Sequence, residues 1–158
     1  MLIWRSASER ERTHVPQITN LFGIIEAQCG PRSPNVCDEF FKLSAQQQEI
    51  EFRKFPVDKQ LIIYRCGMTL HPKTIGFAYL IADGGAKNIP ILMESLKREP
   101  DESIRADIIY VFEVLADHGE LKGRPDVVRQ LQVLVSGMHA GPRERAEASL
   151  AKIAKAAI

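Results

Sequence analysis

The sequence predicts an all-α domain built as a short α-solenoid of stacked antiparallel helix pairs. Apolar residues recur at helical spacing and do not alternate, as at Ile104, Ile108 and Val111. Proline and glycine interrupt the chain at short intervals, which is typical of positions where helices begin and end. The apolar positions of one predicted helix pair also recur in the next pair, and such internal repetition is typical of solenoids.

Length and composition describe one globular domain. The chain has 158 residues, 45% hydrophobic and 26% charged, so it can bury a core without metal or disulfide cross-links. Its 21 basic and 20 acidic residues give a net charge of +1, which disfavours a dedicated DNA or RNA binder. No uncharged apolar run approaches the length of about eighteen residues that spans a bilayer, so we expect no membrane insertion.

Residues 1–35 are predicted to form a mobile or partly helical leader, and residues 36–158 a single helical-repeat domain. The start of the leader is highly charged and lacks the apolar middle of a secretory signal, so the sequence as written predicts a cytoplasmic protein. One alternative stays open. Apolar residues 21–25, followed closely by Cys29, could be the remnant of an export segment with a misassigned start, although Glu26 argues against this interpretation.

The three cysteines do not have the spacing of a zinc site. Cys29 and Cys37 flank a segment rich in glycine and proline, and whether an oxidising compartment joins them is left open. Cys66 lies in an apolar helical stretch, where a buried small apolar residue is the expected role.

Local signals delimit the predicted helices. Ser44 followed by Gln47 is a capping box, which predicts a helix over residues 45–54. Pro56 is expected in the first turn of another helix that ends near residues 67–70. The other helices are predicted over residues 18–28, 73–82, 89–98 and 104–117, from Pro125 onwards, and after Gly141 and Pro142.

The last two predicted helix pairs match at an offset of 38 residues. The matched positions are Ile89 with Val127, Met93 with Leu131, Arg105 with Arg143, Ile108 with Ala146, Phe112 with Leu150, and Leu115 with Ile153. A weaker copy at an offset of 34 matches Phe55 and Pro56 with Ile89 and Pro90, so three helix pairs are visible. Stacked copies build a continuous core that one pair alone could not bury.

The middle pair carries the sequence pattern of a known family. Its second helix follows an Asp-containing turn with Ile104 and Arg105, and the apolar residues Ile108, Phe112 and Leu115 come after them. This pattern resembles the HEAT and HEAT-like α-solenoid family, and the likeness covers about residues 55–158. The third pair keeps the arginine but has Pro142 before it, and the first pair has His71 at the equivalent position. The resemblance implies a shallow protein-binding groove formed by the second helices.

No residue pattern predicts catalytic, cofactor-binding or metal-binding residues. The four histidines stand apart from one another, and no glycine-rich phosphate loop occurs. Acidic residues cluster near predicted helix ends, where solvated caps are the expected role: Glu49 and Glu51, Asp101 and Glu102, Asp117 and Glu120. The sequence therefore predicts a protein that is not an enzyme.

The predicted protein-binding residues lie on helix 104–117. If its apolar stripe faces the core, four residues are left as candidates for exposure: Arg105, Ile109, Tyr110 and Glu113. Tyr110 stands out because an exposed tyrosine is a frequent interface anchor, whereas a half-buried tyrosine in a helix seam is the competing interpretation.

The sequence favours a non-enzymatic module that binds another protein, as a scaffold or as an immunity-type protein that neutralises its partner. No nucleic-acid partner is expected. One alternative is a HEAT-like enzyme of the DNA glycosylase type, which needs a basic concave face, an aromatic pair and a carboxylate together. Another is a structural subunit of a larger assembly, including a homo-oligomer with a self-complementary apolar patch.

Overall fold

The computed structural model of the protein describes residues 34–70 and 73–158. The chain divides between Val36 and Cys37, and Cys37–Ile158 forms one compact unit. Within the described residues all regular structure is helical, which confirms the all-α fold class. None of the described helices has the length and apolar character needed to cross a membrane. The predicted leader helix over residues 18–28 lies outside the described residues, as does Cys29.

Eight α-helices and one 3₁₀-helix follow one another along the described residues. They are α1 (Pro34–Phe41), α2 (Ala45–Lys54), α3 (Val57–Thr69), α4 (Phe77–Ala82), the 3₁₀-helix η1 (Gly85–Asn88), α5 (Ile89–Arg98), α6 (Glu102–Asp117), α7 (Pro125–Ser136) and α8 (Ala140–Ala156). We refer to α3, α5 and α7 as the first helices and to α4, α6 and α8 as the second helices. Each first helix contacts the second helix that follows it in the chain.

Several helix boundaries follow directly from local chemistry. The Ser44 side chain accepts a hydrogen bond from the Gln47 backbone N–H, and the Gln47 side chain accepts one from the Ser44 N–H, so the predicted capping box is confirmed. Asp101 caps α6 in a similar way, because its carboxylate accepts hydrogen bonds from the backbone N–H groups of Ser103 and Ile104. The predicted bounds of α5 are confirmed as well.

Three predicted helices begin elsewhere. Helix α6 starts at Glu102, two residues before the predicted start. Helix α4 starts only at Phe77, because Thr74 turns back and donates two hydrogen bonds, from its N–H and its hydroxyl, to the carbonyl of Gly67 at the end of α3. Helix α8 starts at Ala140, so Gly141 and Pro142 lie within its first turn instead of before it. Proline is tolerated there because the first N–H groups of a helix have no partner inside it.

The second helices form the most extensive contacts in the unit. Helix α6 contacts both α4 and α8, and it also touches α3 and α5. Of the predicted apolar stripe, Ile108, Val111 and Leu115 are fully buried and Ile104 is half-buried. Phe112 is buried too. Helix α6 is therefore the central element of the core.

An aromatic cluster and a disulfide hold α1. Phe40 is buried, and its ring lies against Phe52 and Phe77, which stack with centroids 4.4 Å apart. Cys37 on α1 forms a disulfide with Cys66 on α3, with a Cα–Cα distance of 6.0 Å. The expectation that Cys66 is simply a buried apolar residue is therefore wrong, because α1 brings a second cysteine onto α3.

Candidate interaction surface on the second helices

Polar side chains link the three second helices across their surface. Asp107 of α6 is buried, and its carboxylate lies 3.4 Å from Lys73 Nζ, just before α4, and 2.8 Å from Arg145 NH1 of α8. The Tyr64 hydroxyl of α3 donates a 2.9 Å hydrogen bond to the backbone carbonyl of Asp107. Asp107 thus joins α6 to its neighbours on both sides. Sequence reasoning missed this role, although Asp107 and Arg145 are equivalent positions at the offset of 38 residues.

Two tyrosines meet on the same surface, and we call Tyr79 and Tyr110 the tyrosine pair. Tyr79 of α4 is 49% exposed, whereas Tyr110 of α6 is half-buried and contacts the core. Their hydroxyl oxygens are 3.1 Å apart, and the rings are close to perpendicular with centroids separated by 6.5 Å. Edge-to-face rings attract each other through their quadrupoles. The pair therefore joins α4 to α6 and also leaves one aromatic ring open to solvent.

The hydroxyl contact controls the ionisation of Tyr110. Its pKa is raised to about 12, first by the hydrogen bond to Tyr79, then by burial and by the charges of the Tyr79, Glu113 and Asp117 side chains. A tyrosine with its ordinary pKa is already neutral at physiological pH, and the raised pKa keeps the Tyr110 phenol neutral at more alkaline pH as well. Its hydroxyl can donate a hydrogen bond to the Tyr79 oxygen while the ring presents an uncharged aromatic surface.

Glu113 lies on the same helix as Tyr110, and its side chain is buried by an ion pair. Its carboxylate accepts a hydrogen bond from Lys152 Nζ of α8, and Lys152 is itself exposed. The hydrogen bond to Glu113 and the charge of that carboxylate raise the pKa of Lys152. The predicted exposure of Glu113 is wrong because the lysine of the next second helix covers it.

The other predicted binding residues also differ from expectation. Ile109 is completely buried, so its predicted exposure is wrong. Arg105 is half-buried, and its Nε donates a hydrogen bond to the backbone carbonyl of Glu99. Of the four predicted residues, Tyr110 is therefore the one that the structure places at a solvent-facing aromatic contact.

A cleft of about 440 Å³ lies between the first helices α3 and α5. Its wall includes Glu99, whose side chain is 1% exposed and lies 2.8 Å from the Arg65 guanidinium. At the rim, Glu94 and Arg98 form an exposed ion pair at 2.6 Å. Glu94 and Glu99 already face a guanidinium, whereas the exposed Asp58 in the same lining faces none within the described residues, so the charged groups of the cleft do not by themselves identify a ligand.

Five of the six acidic residues near helix ends accept hydrogen bonds from other described residues, and Asp117 is the exception. Glu120 accepts a 2.8 Å hydrogen bond from the Ala86 N–H. Glu102 accepts one of 2.7 Å from the His139 N–H, at the start of α8. No group of three or more His, Cys, Asp or Glu side chains within the described residues could hold a metal ion.

No family model, curated protein or solved structure matches the chain. Its function has to be inferred from the chemistry of its own residues.

Proposed function

We propose that residues 36–158 form a short HEAT-like α-solenoid that acts as a non-enzymatic protein-binding module, with the partner held on the surface of the second helices. The observation that carries this proposal is the tyrosine pair. Tyrosine presents a large, rigid, amphipathic contact area and is enriched among the residues that dominate binding energy at protein interfaces. Half of the Tyr79 side chain is exposed in the unbound chain, so a partner can still bury it.

The order of helix contacts supports a solenoid. In a solenoid each repeat contacts mainly its neighbours, and α6 contacts the second helix before it and the one after it. Four of the six matched positions of the last two pairs are buried in both copies: Ile89 and Val127, Met93 and Leu131, Ile108 and Ala146, and Leu115 and Ile153. The other two differ, because Leu150 is half-buried where Phe112 is buried, and Arg143 is exposed where Arg105 is half-buried. The agreement at the four buried positions favours the repeat register that the sequence predicted.

This surface meets two of the three requirements of the DNA glycosylase alternative. An aromatic pair is present, and the carboxylates of Glu113 and Asp117 raise the pKa of Tyr110 through their charges. The third requirement, a basic face, is not supported, because Lys152 and Arg145 are both engaged by buried carboxylates. Phosphate binding needs cations that are free to replace counterions. The protein-binding hypothesis is therefore preferred.

The structural-subunit alternative requires a self-complementary apolar patch. Large exposed apolar side chains within the described residues lie on different elements, such as Ile91 on α5 and Val133 on α7. Single exposed apolar residues are ordinary on a monomer surface. A homo-oligomer is therefore a secondary candidate.

The Cys37–Cys66 disulfide bears on the compartment. Disulfides form and persist in oxidising compartments and are rare in the cytosol. The disulfide therefore favours an exported protein, in contrast to the cytoplasmic location predicted from the charged leader. We expect both cysteines to remain unreactive towards a thiol-alkylating reagent in protein isolated from its native source under non-reducing conditions.

Site-specific photocrosslinking tests the proposed function. A benzoylphenylalanine placed at Tyr79 should yield one discrete adduct with another protein in an extract of the native source. The same group at Val133, which is 72% exposed on a first helix, serves as the matched control and should not give that adduct. A chain-to-chain adduct would favour the homo-oligomer, an adduct with duplex DNA would favour the glycosylase type, and equal labelling from both positions would reject the proposed surface.

A further inference from the structure

Acidic residues continue the two helical stripes that contain the tyrosine pair. Asp83 follows Tyr79 by four residues and still has helical backbone angles, so both side chains lie on one face. Glu113 and Asp117 follow Tyr110 by three and seven residues on α6, which places them along the same stripe. Both aromatic rings are therefore followed by carboxylates towards the C-terminal end of their helix.

The charges of the surface that contains the tyrosine pair sum to a slightly negative value. Five carboxylates and four cations give a formal charge of −1: Glu49, Asp83, Asp107, Glu113 and Asp117 against Arg53, Lys73, Arg145 and Lys152. Arg53 is shared, because it lies 2.7 Å from Asp83 and 3.1 Å from Glu49. Asp117 is exposed and forms no ion pair within the described residues, although its charge also helps to raise the pKa of Lys152.

The helix ends add to this negative potential. Helices α4 and α6 end at Ala82 and Asp117, so the partial negative charge of each helix C-terminus lies at the same end of its stripe as the carboxylates. An anionic partner such as a nucleic acid would meet repulsion here. A cation would be attracted by the carboxylates, by the helix ends and by the face of an aromatic ring.

Combining these observations with the proposed function, on which this step rests, we propose that the tyrosine pair and Asp117 bind a positively charged segment of the partner protein. Arginine fits best, because a guanidinium stacks on an aromatic face and pairs with a carboxylate at the same time. The half-exposed Tyr79 ring offers the face. Asp117 offers the unpaired carboxylate.

Binding of a labelled nona-arginine peptide to the full chain, followed by fluorescence anisotropy, tests this inference. Nona-lysine should bind more weakly, and nona-glutamate should not bind. Tyr79→Leu and Asp117→Asn should each weaken nona-arginine binding by about threefold to tenfold, as expected for loss of one exposed cation–π contact or one charge pair. Glu144→Gln removes the same charge from an exposed site on α8 and is the matched control, so it should leave the affinity unchanged. Circular dichroism melting of each variant verifies that its fold is intact.

Three outcomes would overturn the inference. The first is an equal effect of Asp117→Asn and Glu144→Gln, which would indicate non-specific attraction. The second is preferential binding of nona-glutamate. The third is self-association of the chain that Tyr79→Leu abolishes, since a second copy would then cover this surface. If position 79 gives a discrete crosslink and either of the first two outcomes is also observed, the partner segment is not cationic, but the proposed protein-binding function still holds.

Discussion

The 38-residue offset in the sequence matches Arg105 with Arg143, yet the two arginines form different contacts. Arg105 is half-buried and donates from Nε to the carbonyl of Glu99, in the turn that joins α5 to α6. Arg143 is exposed and donates a 2.7 Å hydrogen bond to Glu147, one turn further along its own helix. The first arginine therefore fixes the connection within a helix pair, whereas the second forms a local surface pair.

Because the two contacts differ, the two arginines should contribute unequally to stability. Arg105→Ala should lower the free energy of unfolding by about 1 to 2 kcal/mol, because it leaves a carbonyl in a half-buried turn without its charged donor. Arg143→Ala should cost only about 0.3 to 0.5 kcal/mol, the usual contribution of an exposed ion pair one turn apart. Urea unfolding of the two variants measures both values. Equal losses would show that the contact with Glu99 contributes no more than a surface pair.

The burial of residues on α6 shows where the periodicity of the sequence correctly predicts a buried or an exposed position. Ile108, Val111 and Leu115 lie on the predicted stripe and are buried. Ile109 was expected to face solvent and is also buried, because α6 contacts helices on more than one side. A single apolar stripe describes a helix at the edge of a core, and α6 lies at its centre.

At the level of the helices, the start of α8 depends on a residue far away in the sequence. Glu102, at the start of α6, accepts hydrogen bonds from the His139 N–H at 2.7 Å and pairs with His139 Nδ1 at 2.9 Å. These contacts satisfy an N–H group that would otherwise lack a partner where α8 begins. They lower the pKa of Glu102, with the backbone hydrogen bond from His139 as the main cause.

The lowered pKa predicts a pH dependence of stability. A carboxylate with a lowered pKa in the folded state stabilises the fold above its ordinary pKa, and this contribution is lost as the pH falls through the folded value. Wild type should therefore exceed Glu102→Gln in free energy of unfolding at about pH 7, and the difference should shrink towards about pH 3. Urea unfolding across that range provides the measurement, and Glu144→Gln on α8 is the control that should show no such trend. A difference that stays constant with pH would mean that the ionised form of Glu102 is not what stabilises α8.

Local signals predicted most helix boundaries but not the elements that depend on tertiary contacts. The capping box and the proline positions are encoded within a few residues, so α2 and α5 begin and end where expected. Residues 73–76 have a helical pattern, yet Thr74 bonds to Gly67 and delays the start of α4. The sequence singled out Tyr110 but not its contact with Tyr79, because the two tyrosines lie on different helices that only the fold brings together.

Across the whole unit, contacts run between neighbouring elements, and the disulfide fastens one end of this series. Cys37 and Cys66 are 29 residues apart and join α1 to α3. Helix α1 has only eight residues, and isolated helices of that length are marginal in water. Its position therefore depends on the disulfide and on the aromatic contacts of Phe40. The most extensive helix contact, between α6 and α8, lies elsewhere in the sequence and does not involve this bond.

Reduction should therefore destabilise the unit unevenly. Closing a loop of 29 residues contributes about 3 to 4 kcal/mol in the chain-entropy description, so a reducing agent should lower the free energy of unfolding by about that amount. Because repeat units communicate mainly through nearest-neighbour contacts, hydrogen exchange should accelerate in α1 and α3 before it does so in α6 and α8. The double variant Cys37→Ser, Cys66→Ser should match the reduced protein and should not respond to the reducing agent. Uniform acceleration of exchange across all helices would instead show that the unit unfolds as one cooperative block, and the solenoid proposal would lose its support from nearest-neighbour behaviour.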